Sequence, residues 1–317
     1  MWCFILSLLQ WKTAEARKVD CNPNLRRSTI PPDALLDVAG PSAPLTLLPQ
    51  DRGSESPACL DGSPYGFYFV QSATGSTKWT LYMNGGGWCY NEIDCYCRSK
   101  SEYGSSDHLP EASGCMCMNP NEDGTLDVDC NCISMPYCDG ASFSGYRETP
   151  WPVPEDPATG VPAGATVNFR GIKNFDAVVD FALRHGMSDA TELVLAGDSA
   201  GALAVFLHAD RVGTRLKAAA PSIKKFHAAP IVGYFLDHAT FSNKDGENPY
   251  TPPWAHPGTG ANFTFWMKYI YSMQNLSFGV DGALMKACQV KHADEPHLCF
   301  MSPHTQDVIE TPFFMFN

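Results

Sequence analysis

The sequence predicts an α/β protein with a doubly wound, mostly parallel sheet. Residues 133–137 form a short apolar run, and residues 171–185 carry apolar side chains at helical spacing. Residues 192–198 then form an apolar strand that leads directly into a second apolar helix. This alternation of strand and helix is typical of βαβ units, in which successive strands are parallel.

The turn between the strand and the second helix has the form Gly-x-Ser-x-Gly, with Ser199 between Gly197 and Gly201. Strand, turn and helix in this order predict a nucleophile elbow, in which a strained turn presents the serine hydroxyl and only small residues fit beside it. The helix N-terminus behind the serine favours developing negative charge. The alternative is a turn that merely joins a strand to a helix, because short motifs of this kind also arise by chance.

A run of three glycines lies upstream of the elbow. Two β-type runs, residues 66–70 and 78–83, are predicted to form a hairpin, and the second is followed by residues 85–87, all glycine, and Trp88. Glycines at a strand end let backbone N–H groups face a ligand. In a serine esterase they complete the oxyanion hole with the N–H after the nucleophile, here Ala200. A flexible turn is the other interpretation, but the order of the two motifs is the one that an α/β hydrolase requires.

Composition argues against two classes of function. The formal net charge is −12 and the pI is near 5.1, so a nucleic-acid phosphate backbone would be repelled. No stretch reaches the roughly 20 apolar residues that a membrane-spanning helix needs. The 317 residues, 44% of them hydrophobic, suffice for one large α/β domain.

Cysteine usage predicts an oxidising compartment. The chain has 13 cysteines, and eight of them lie between Cys89 and Cys138. Paired Cys-x-Cys units could bind zinc, but structural zinc sites usually have two to four residues between the cysteines, so disulfides are favoured. Their connectivity does not follow from the sequence.

The N-terminus is predicted to be a signal peptide over residues 1–16. Residues 2–9 are an apolar run, and residues 14–16 have the small-x-small form of a cleavage site. Cleavage would remove Cys3 and leave 12 cysteines, which permits full pairing. A start codon inside a longer reading frame is the alternative. Sequons at Asn262 and Asn275 would be glycosylated in a secreted chain.

The remaining chain is predicted to be one catalytic domain with an extended lead-in. Residues 17–64 are rich in Pro and Asp and form the lead-in, and residues 65–317 form the α/β-hydrolase domain, with a disulfide-bonded segment at 89–138. The later elements are predicted as a strand, an aromatic helix and a buried strand, within residues 226–236, 263–274 and 308–316.

Four ordered motifs resemble the pectin acetylesterase family, to which the Notum enzymes also belong. They lie at residues 81–89, 136–143, 195–212 and 233–237. The resemblance implies an α/β-hydrolase fold, a Ser-Asp-His triad, hydrolysis of an ester, and no cofactor or metal. It makes Ser199 the nucleophile and assigns the oxyanion hole to the N–H groups of Gly87, Trp88 and Ala200.

Two departures from the family pattern affect the expected site. Asp198 stands where many plant members have cysteine. The family's acid would lie a few residues after Asn317 and its histidine further still, so the resemblance predicts a C-terminally incomplete chain without the triad acid and base.

Seven histidines follow Ser199, and none has the family's catalytic context. His208 lies on the predicted buried helix and is expected to pack there. Asp237 and His238 are neighbours on a predicted strand, where adjacent side chains point to opposite faces.

The predicted function is a secreted serine carboxylic-ester hydrolase that deacetylates an O-acetylated polysaccharide. One alternative is a lipid or protein-lipid deacylase, which would need a deep apolar acyl pocket. The other is a secreted binding protein that has lost its catalytic activity. The sequence does not define the oligomeric state.

Overall fold

A computed structural model describes residues 21, 41–121, 123–238, 263–277 and 285–317. Its strands are β1 (Ser42–Leu47), β2 (Gly66–Val70), β3 (Lys78–Met83), β4 (Ala112–Gly114), β5 (Asn131–Met135), β6 (Trp151–Pro152), β7 (Thr166–Val167), β8 (Glu192–Asp198) and β9 (Lys225–Ile231). Its helices are α1 (Glu92–Arg98), α2 (Gly171–Arg184), α3 (Ala200–Ala219), α4 (Phe263–Met273), α5 (Lys286–Lys291) and α6 (Ser302–Thr305). The predicted signal peptide lies outside the described residues.

A mixed seven-stranded sheet in the order β4-β1-β2-β5-β3-β8-β9 forms the centre of the fold. The neighbouring pairs β5–β3, β3–β8 and β8–β9 are parallel, whereas β4–β1, β1–β2 and β2–β5 are antiparallel. Met83 lies opposite Gly197, and Gly197 lies opposite Pro230. The carboxyl ends of these parallel strands therefore meet at one edge of the sheet, where α/β proteins place their sites.

The predicted hairpin between residues 66–70 and 78–83 is wrong. Strand β5 lies between β2 and β3, and its Ile133 pairs with Phe69 on one side and with Leu81 on the other. All five residues of β5 are buried, so it forms a central strand that separates the two. A short turn between two β-type runs is compatible with either arrangement, because pairing with a distant strand leaves no local signal.

Helices α2 and α3 have the predicted positions and lie side by side. Arg211 and Arg215 of α3 form ion pairs with Asp176 and Asp180 of α2. Helix α2 ends at His185, and Gly186 follows with a φ of 109°. This left-handed conformation is the one in which glycine terminates a helix without strain.

The predicted lead-in contributes a strand to the sheet. Strand β1 pairs antiparallel with both β2 and β4. Residues 17–20 and 22–40 of the predicted lead-in lie outside the described residues, as does the sequon residue Asn262. In the part of the chain that the structure covers, no helix is long and apolar enough to cross a bilayer.

Six disulfides pair all the cysteines except Cys3, which is outside the described residues. They join Cys21–Cys97, Cys59–Cys138, Cys89–Cys95, Cys115–Cys132, Cys117–Cys130 and Cys288–Cys299. The preference for disulfides over zinc is confirmed. Within the described ranges, no cluster of His, Cys, Asp or Glu side chains could hold a metal ion.

The C-terminal residues continue the sheet beyond β9. Phe313 and Phe316 form parallel bridges with Ala228 and Ile231. The predicted burial of this segment is wrong, since Phe314 is 76% exposed and Phe316 is 62% exposed. The segment lies along the outer edge of β9 through these isolated bridges, and its apolar side chains alone gave no sign of that edge position. The predicted helix over 263–274 is confirmed as α4.

Candidate active site

Ser199 lies in a tight turn between β8 and α3. Its φ of 51° and ψ of −122° are a conformation that L residues rarely adopt. A Cβ atom on Gly201 would lie 2.1 Å from the carbonyl oxygen of Met83, and one on Gly197 would lie 2.7 Å from the same atom. Strand β3, strand β8 and helix α3 thus approach so closely that only glycine fits, which is the geometry of a nucleophile elbow.

The glycine loop, residues 84–88, packs directly against this turn. A Cβ atom on Gly85 would lie 2.7 Å from the Cβ atom of Ser199. The backbone N–H of Gly85 donates to Oδ1 of Asp198 over 3.1 Å. Burial raises the pKa of Asp198, although hydrogen bonds from Gly85 and Tyr82 oppose that rise. The aspartate that departs from the plant pattern therefore joins the glycine loop to the elbow.

Among the described residues, three N–H groups of the glycine loop have no hydrogen-bond acceptor: those of Gly86, Gly87 and Trp88. The N–H groups of Ala200, Gly201 and Ala202 also lack one, as is usual in the first turn of a helix. Buried or half-buried N–H groups are almost always hydrogen-bonded, so three unpaired donors in a loop beside a helix N-terminus are unusual. Such donors are what a developing oxyanion requires.

A second loop, residues 137–142 after β5, braces the glycine loop through hydrogen bonds. The indole Nε1–H of Trp88 donates to Oγ of Ser142 over 2.9 Å, and the N–H of Ser142 donates to the hydroxyl of Tyr137 over the same distance. The N–H of Cys89 donates to the carbonyl of Gly140 over 3.1 Å. Ser142 has a φ of 53°, so this brace holds a residue in the left-handed region. No local sequence pattern predicts this connection, because the two loops follow strands that are distant in sequence.

Two aromatic side chains pack against the ring of Trp88. Its ring lies 4.7 Å from that of Phe235 and 5.8 Å from that of Phe263, both in edge-to-face geometry. Phe235 comes from the chain after β9, and Phe263 begins α4. An apolar wall therefore stands beside the glycine loop.

His208 is not available as a base for Ser199. It is fully buried, its Nε2 lies 3.0 Å from the carbonyl oxygen of Phe143, and its ring stacks on Phe175 at 4.2 Å. Burial lowers the pKa of His208 to about 3. It packs in the core, as predicted. No described side chain forms a hydrogen bond with the Ser199 hydroxyl.

The structure forms a carboxylate–imidazole pair that the sequence did not reveal. Nε2 of His304 lies 2.9 Å from Oδ2 of Asp237, and the hydroxyl of Thr264 donates to Oδ1 over 2.7 Å. Burial alone would raise the pKa of Asp237, but the hydrogen bonds from His304 and Thr264 lower it. The partner of Asp237 is thus His304 rather than its neighbour His238, and no spacing rule joins residues so far apart.

The fold is that of an α/β hydrolase. A crystal structure of the Wnt deacylase Notum from Drosophila matches with a TM-score of 0.66 over 87% of this chain and 71% of that chain, at 21% identity. The pectinacetylesterase family model matches residues 38–317, and the chain therefore belongs to the pectinacetylesterase family. The predicted family and fold class are confirmed.

The curated relatives fall into two groups by name, pectin acetylesterases and palmitoleoyl-protein carboxylesterases. Pectin acetylesterase 5 of Arabidopsis thaliana is 30% identical over 277 residues, 86% of this chain and 56% of the relative. Palmitoleoyl-protein carboxylesterase NOTUM of Homo sapiens is 32% identical over 196 residues, 60% of this chain and 36% of the relative. The chain therefore spans little more than half the length of the first of these relatives.

Proposed function

We propose that this protein is a serine carboxylic-ester hydrolase with Ser199 as its nucleophile and the N–H groups of Gly87, Trp88 and Ala200 as its oxyanion hole. The observation that carries the proposal is the contact between the Ser199 turn and a loop in which the N–H groups of Gly87 and Trp88 lack acceptors. The N–H groups of the glycine loop and of the helix N-terminus both supply positive partial charge beside this turn.

The reaction proceeds in two halves. Oγ of Ser199 attacks the ester carbonyl carbon while a base takes the hydroxyl proton, and the carbonyl oxygen becomes an oxyanion held by the three N–H groups. The intermediate collapses, the bond to the alcohol breaks, and the protonated base returns its proton to the departing oxygen. Water, deprotonated by the same base, then attacks the acyl-enzyme and releases the acid and free Ser199.

The base and its supporting acid are proposed to come from chain beyond Asn317. Two observations support this assignment. No described histidine is hydrogen-bonded to Ser199, and residues 313–316 run parallel beside β9 as a late strand. In α/β hydrolases the acid follows such a strand and the histidine comes later.

The Asp237–His304 pair is the competing source of the base, since Ser199, Asp237 and His304 stand in the chain order of an α/β-hydrolase triad. One experiment distinguishes these two sources of the base. If the base lies beyond Asn317, His304→Ala leaves the rate of ester hydrolysis by a C-terminally extended chain unchanged. A loss as large as that of Ser199→Ala would instead assign the base to His304.

The substrate is proposed to be an O-acetylated polysaccharide outside the cell. The relatives named pectin acetylesterases support the acetyl group, and the six disulfides support an oxidising compartment. The alternative is a longer acyl chain on a protein or lipid. It is favoured by the aromatic wall of Trp88, Phe235 and Phe263 and by the relatives named palmitoleoyl-protein carboxylesterases.

The test is hydrolysis of p-nitrophenyl esters of increasing acyl length, together with release of acetate from acetylated pectin. We expect the acetyl ester to have the highest kcat/KM and Ser199→Ala to lower it by about three orders of magnitude or more. A maximum at eight or more carbons would favour the deacylase. Hydrolysis undiminished in Ser199→Ala would reject the proposed nucleophile, and absence of hydrolysis in every form of the chain would favour the binding protein.

A further inference from the structure

Arg98, the last residue of α1, forms hydrogen bonds to a backbone carbonyl of the glycine loop. Both terminal nitrogens of its guanidinium donate to the carbonyl oxygen of Gly86, Nη1 over 2.8 Å. The guanidinium also lies 5.3 Å from the centre of the Tyr103 ring. Among the described residues, no carboxylate forms an ion pair with Arg98. A half-buried arginine usually pairs with an acidic group, so a bidentate bond to one carbonyl needs another explanation.

The bond to Gly86 determines the direction of the next N–H group. The carbonyl of Gly86 and the N–H of Gly87 belong to the same peptide unit. Because that unit is planar and trans, the two groups point in opposite directions. Holding the carbonyl toward Arg98 therefore directs the N–H of Gly87 away from Arg98. That N–H is one of the loop N–H groups without a described acceptor.

The Gly86–Gly87 peptide needs a hydrogen bond to fix its orientation, because glycine restricts the backbone less than other residues do. Gly87 has a φ of 69°, and glycine lacks the Cβ atom that restricts other residues. Side chains cannot supply rigidity at Gly86, where a Cβ atom would lie 2.7 Å from the Tyr137 ring and 2.8 Å from the Tyr103 ring. At its glycines the loop therefore gains order from hydrogen bonds to its backbone.

Helix α1 is itself fixed in place. Its N-cap residue Asn91 accepts the N–H of Asp94 over 2.9 Å, and disulfides tie Cys95 to Cys89 and Cys97 to Cys21. One of these bridges joins α1 to the residue directly after Trp88. Arg98 thus extends from a support that is covalently attached to the loop it holds.

We propose that Arg98 is a positioning residue of the oxyanion hole, which aims the N–H of Gly87 at the oxygen of the tetrahedral intermediate. The inference rests on the proposed function of Ser199 and the glycine loop. Arg98 does not touch the substrate in this account, and it acts through the Gly86–Gly87 peptide. The polarising effect of its charge on that peptide strengthens the N–H as a donor.

The test, made in the C-terminally extended chain, compares Arg98→Met and Arg98→Lys with Arg147→Met. Arg147 is a matched control, since it also donates to two backbone carbonyls, those of Met273 and Ser272, and lies 4.3 Å from the Trp151 ring, away from the glycine loop. We expect Arg98→Met to lower kcat about tenfold to a hundredfold with KM nearly unchanged, because the lost interaction acts in the transition state. Arg98→Lys should recover part of the loss, and Arg147→Met should retain the wild-type kcat.

Two further readouts separate positioning from general damage. The ratio of kcat/KM for an ester to that for its thionoester should fall in Arg98→Met, because sulfur gains less from oxyanion N–H donors than oxygen does, whereas a general structural defect lowers both rates alike. A crystal structure of Arg98→Met should show the Gly86–Gly87 peptide rotated. An unchanged ratio or an unrotated peptide overturns the inference. If Ser199→Ala retains hydrolysis, the proposed function fails with it, whereas a wild-type kcat in Arg98→Met alone rejects only the role of Arg98.

Discussion

The backbone N–H of Gly85 donates to the side chain of Asp198 over 3.1 Å, so the residue before the candidate nucleophile holds the first peptide of the glycine loop. Arg98 holds the Gly86–Gly87 peptide through the carbonyl of Gly86. An acidic and a basic side chain thus hold two peptide units of the loop, with the Gly85–Gly86 peptide between them. Both side chains lie outside the loop.

Asp198→Asn tests the charge at this position. The pKa of Asp198 is raised in the folded protein, chiefly by burial, so its carboxyl favours folding most when protonated, and that contribution is lost as the pH rises through the folded-state pKa. Asparagine keeps an oxygen for the Gly85 N–H and removes the buried charge. We expect a higher Tm than wild type near pH 8 and an equal Tm near pH 3.5, below the pKa of an unfolded aspartate. A lower Tm at both pH values would contradict this account.

Asp139 makes a second pH-dependent contribution to stability. It is 1% exposed, its Oδ1 has no described partner, and burial raises its pKa to about 6. Because the folded-state pKa is the higher one, the contribution of Asp139 to stability is fully present below about pH 4 and is lost as the pH rises through 6, by roughly 3 kcal/mol in all. Urea unfolding near pH 4 and pH 7.5, with disulfides intact, should show a smaller pH difference in Asp139→Asn than in wild type. An equal pH difference in the two proteins would show that the ionisation of Asp139 does not lower the free energy of unfolding.

Gly201→Ala should prevent the close approach of α3 to β3. The added Cβ atom would lie 2.1 Å from the Met83 carbonyl oxygen, and backbone atoms cannot move aside cheaply. We expect a loss of several kcal/mol in the free energy of unfolding, or failure to fold. Gly213→Ala in the same helix is the control, since its Cβ atom would meet only side-chain atoms, of Phe226 at 3.3 Å and of Thr311 at 3.4 Å, and alanine favours a helix by about 1 kcal/mol over glycine. Similar behaviour of the two variants would refute the steric account of the elbow.

Removal of the Cys89–Cys95 disulfide should affect catalysis as well as stability. Its sequence separation is 6, against 11 for Cys288–Cys299, so chain entropy predicts a similar cost of about 2 to 3 kcal/mol for either bridge. Only the first bridge adjoins Trp88 and α1. Replacing both cysteines of each pair by serine should lower kcat in the first variant and leave it near wild type in the second. Equal kcat values in two folded variants would show that the first bridge does not support the site.

The sequence predicted the parts of this site that depend on local patterns. The elbow, α2, α3 and the glycine loop are each defined by residues close together in the chain. The pairing of β5 between β2 and β3 was missed because strand neighbours depend on distant segments. Arg98, Ser142 and the Asp237–His304 pair were missed for the same reason, since each acts on a partner that the fold brings near.

Active-site labelling tests the central claim most directly. The C-terminally extended chain is incubated with a fluorophosphonate and digested, and the modified peptide is located by mass spectrometry. We expect a phosphonyl group on Ser199, formed more slowly in Arg98→Met and absent in Ser199→Ala. Modification of another residue, or labelling of the Ser199→Ala variant at the wild-type rate, would contradict it.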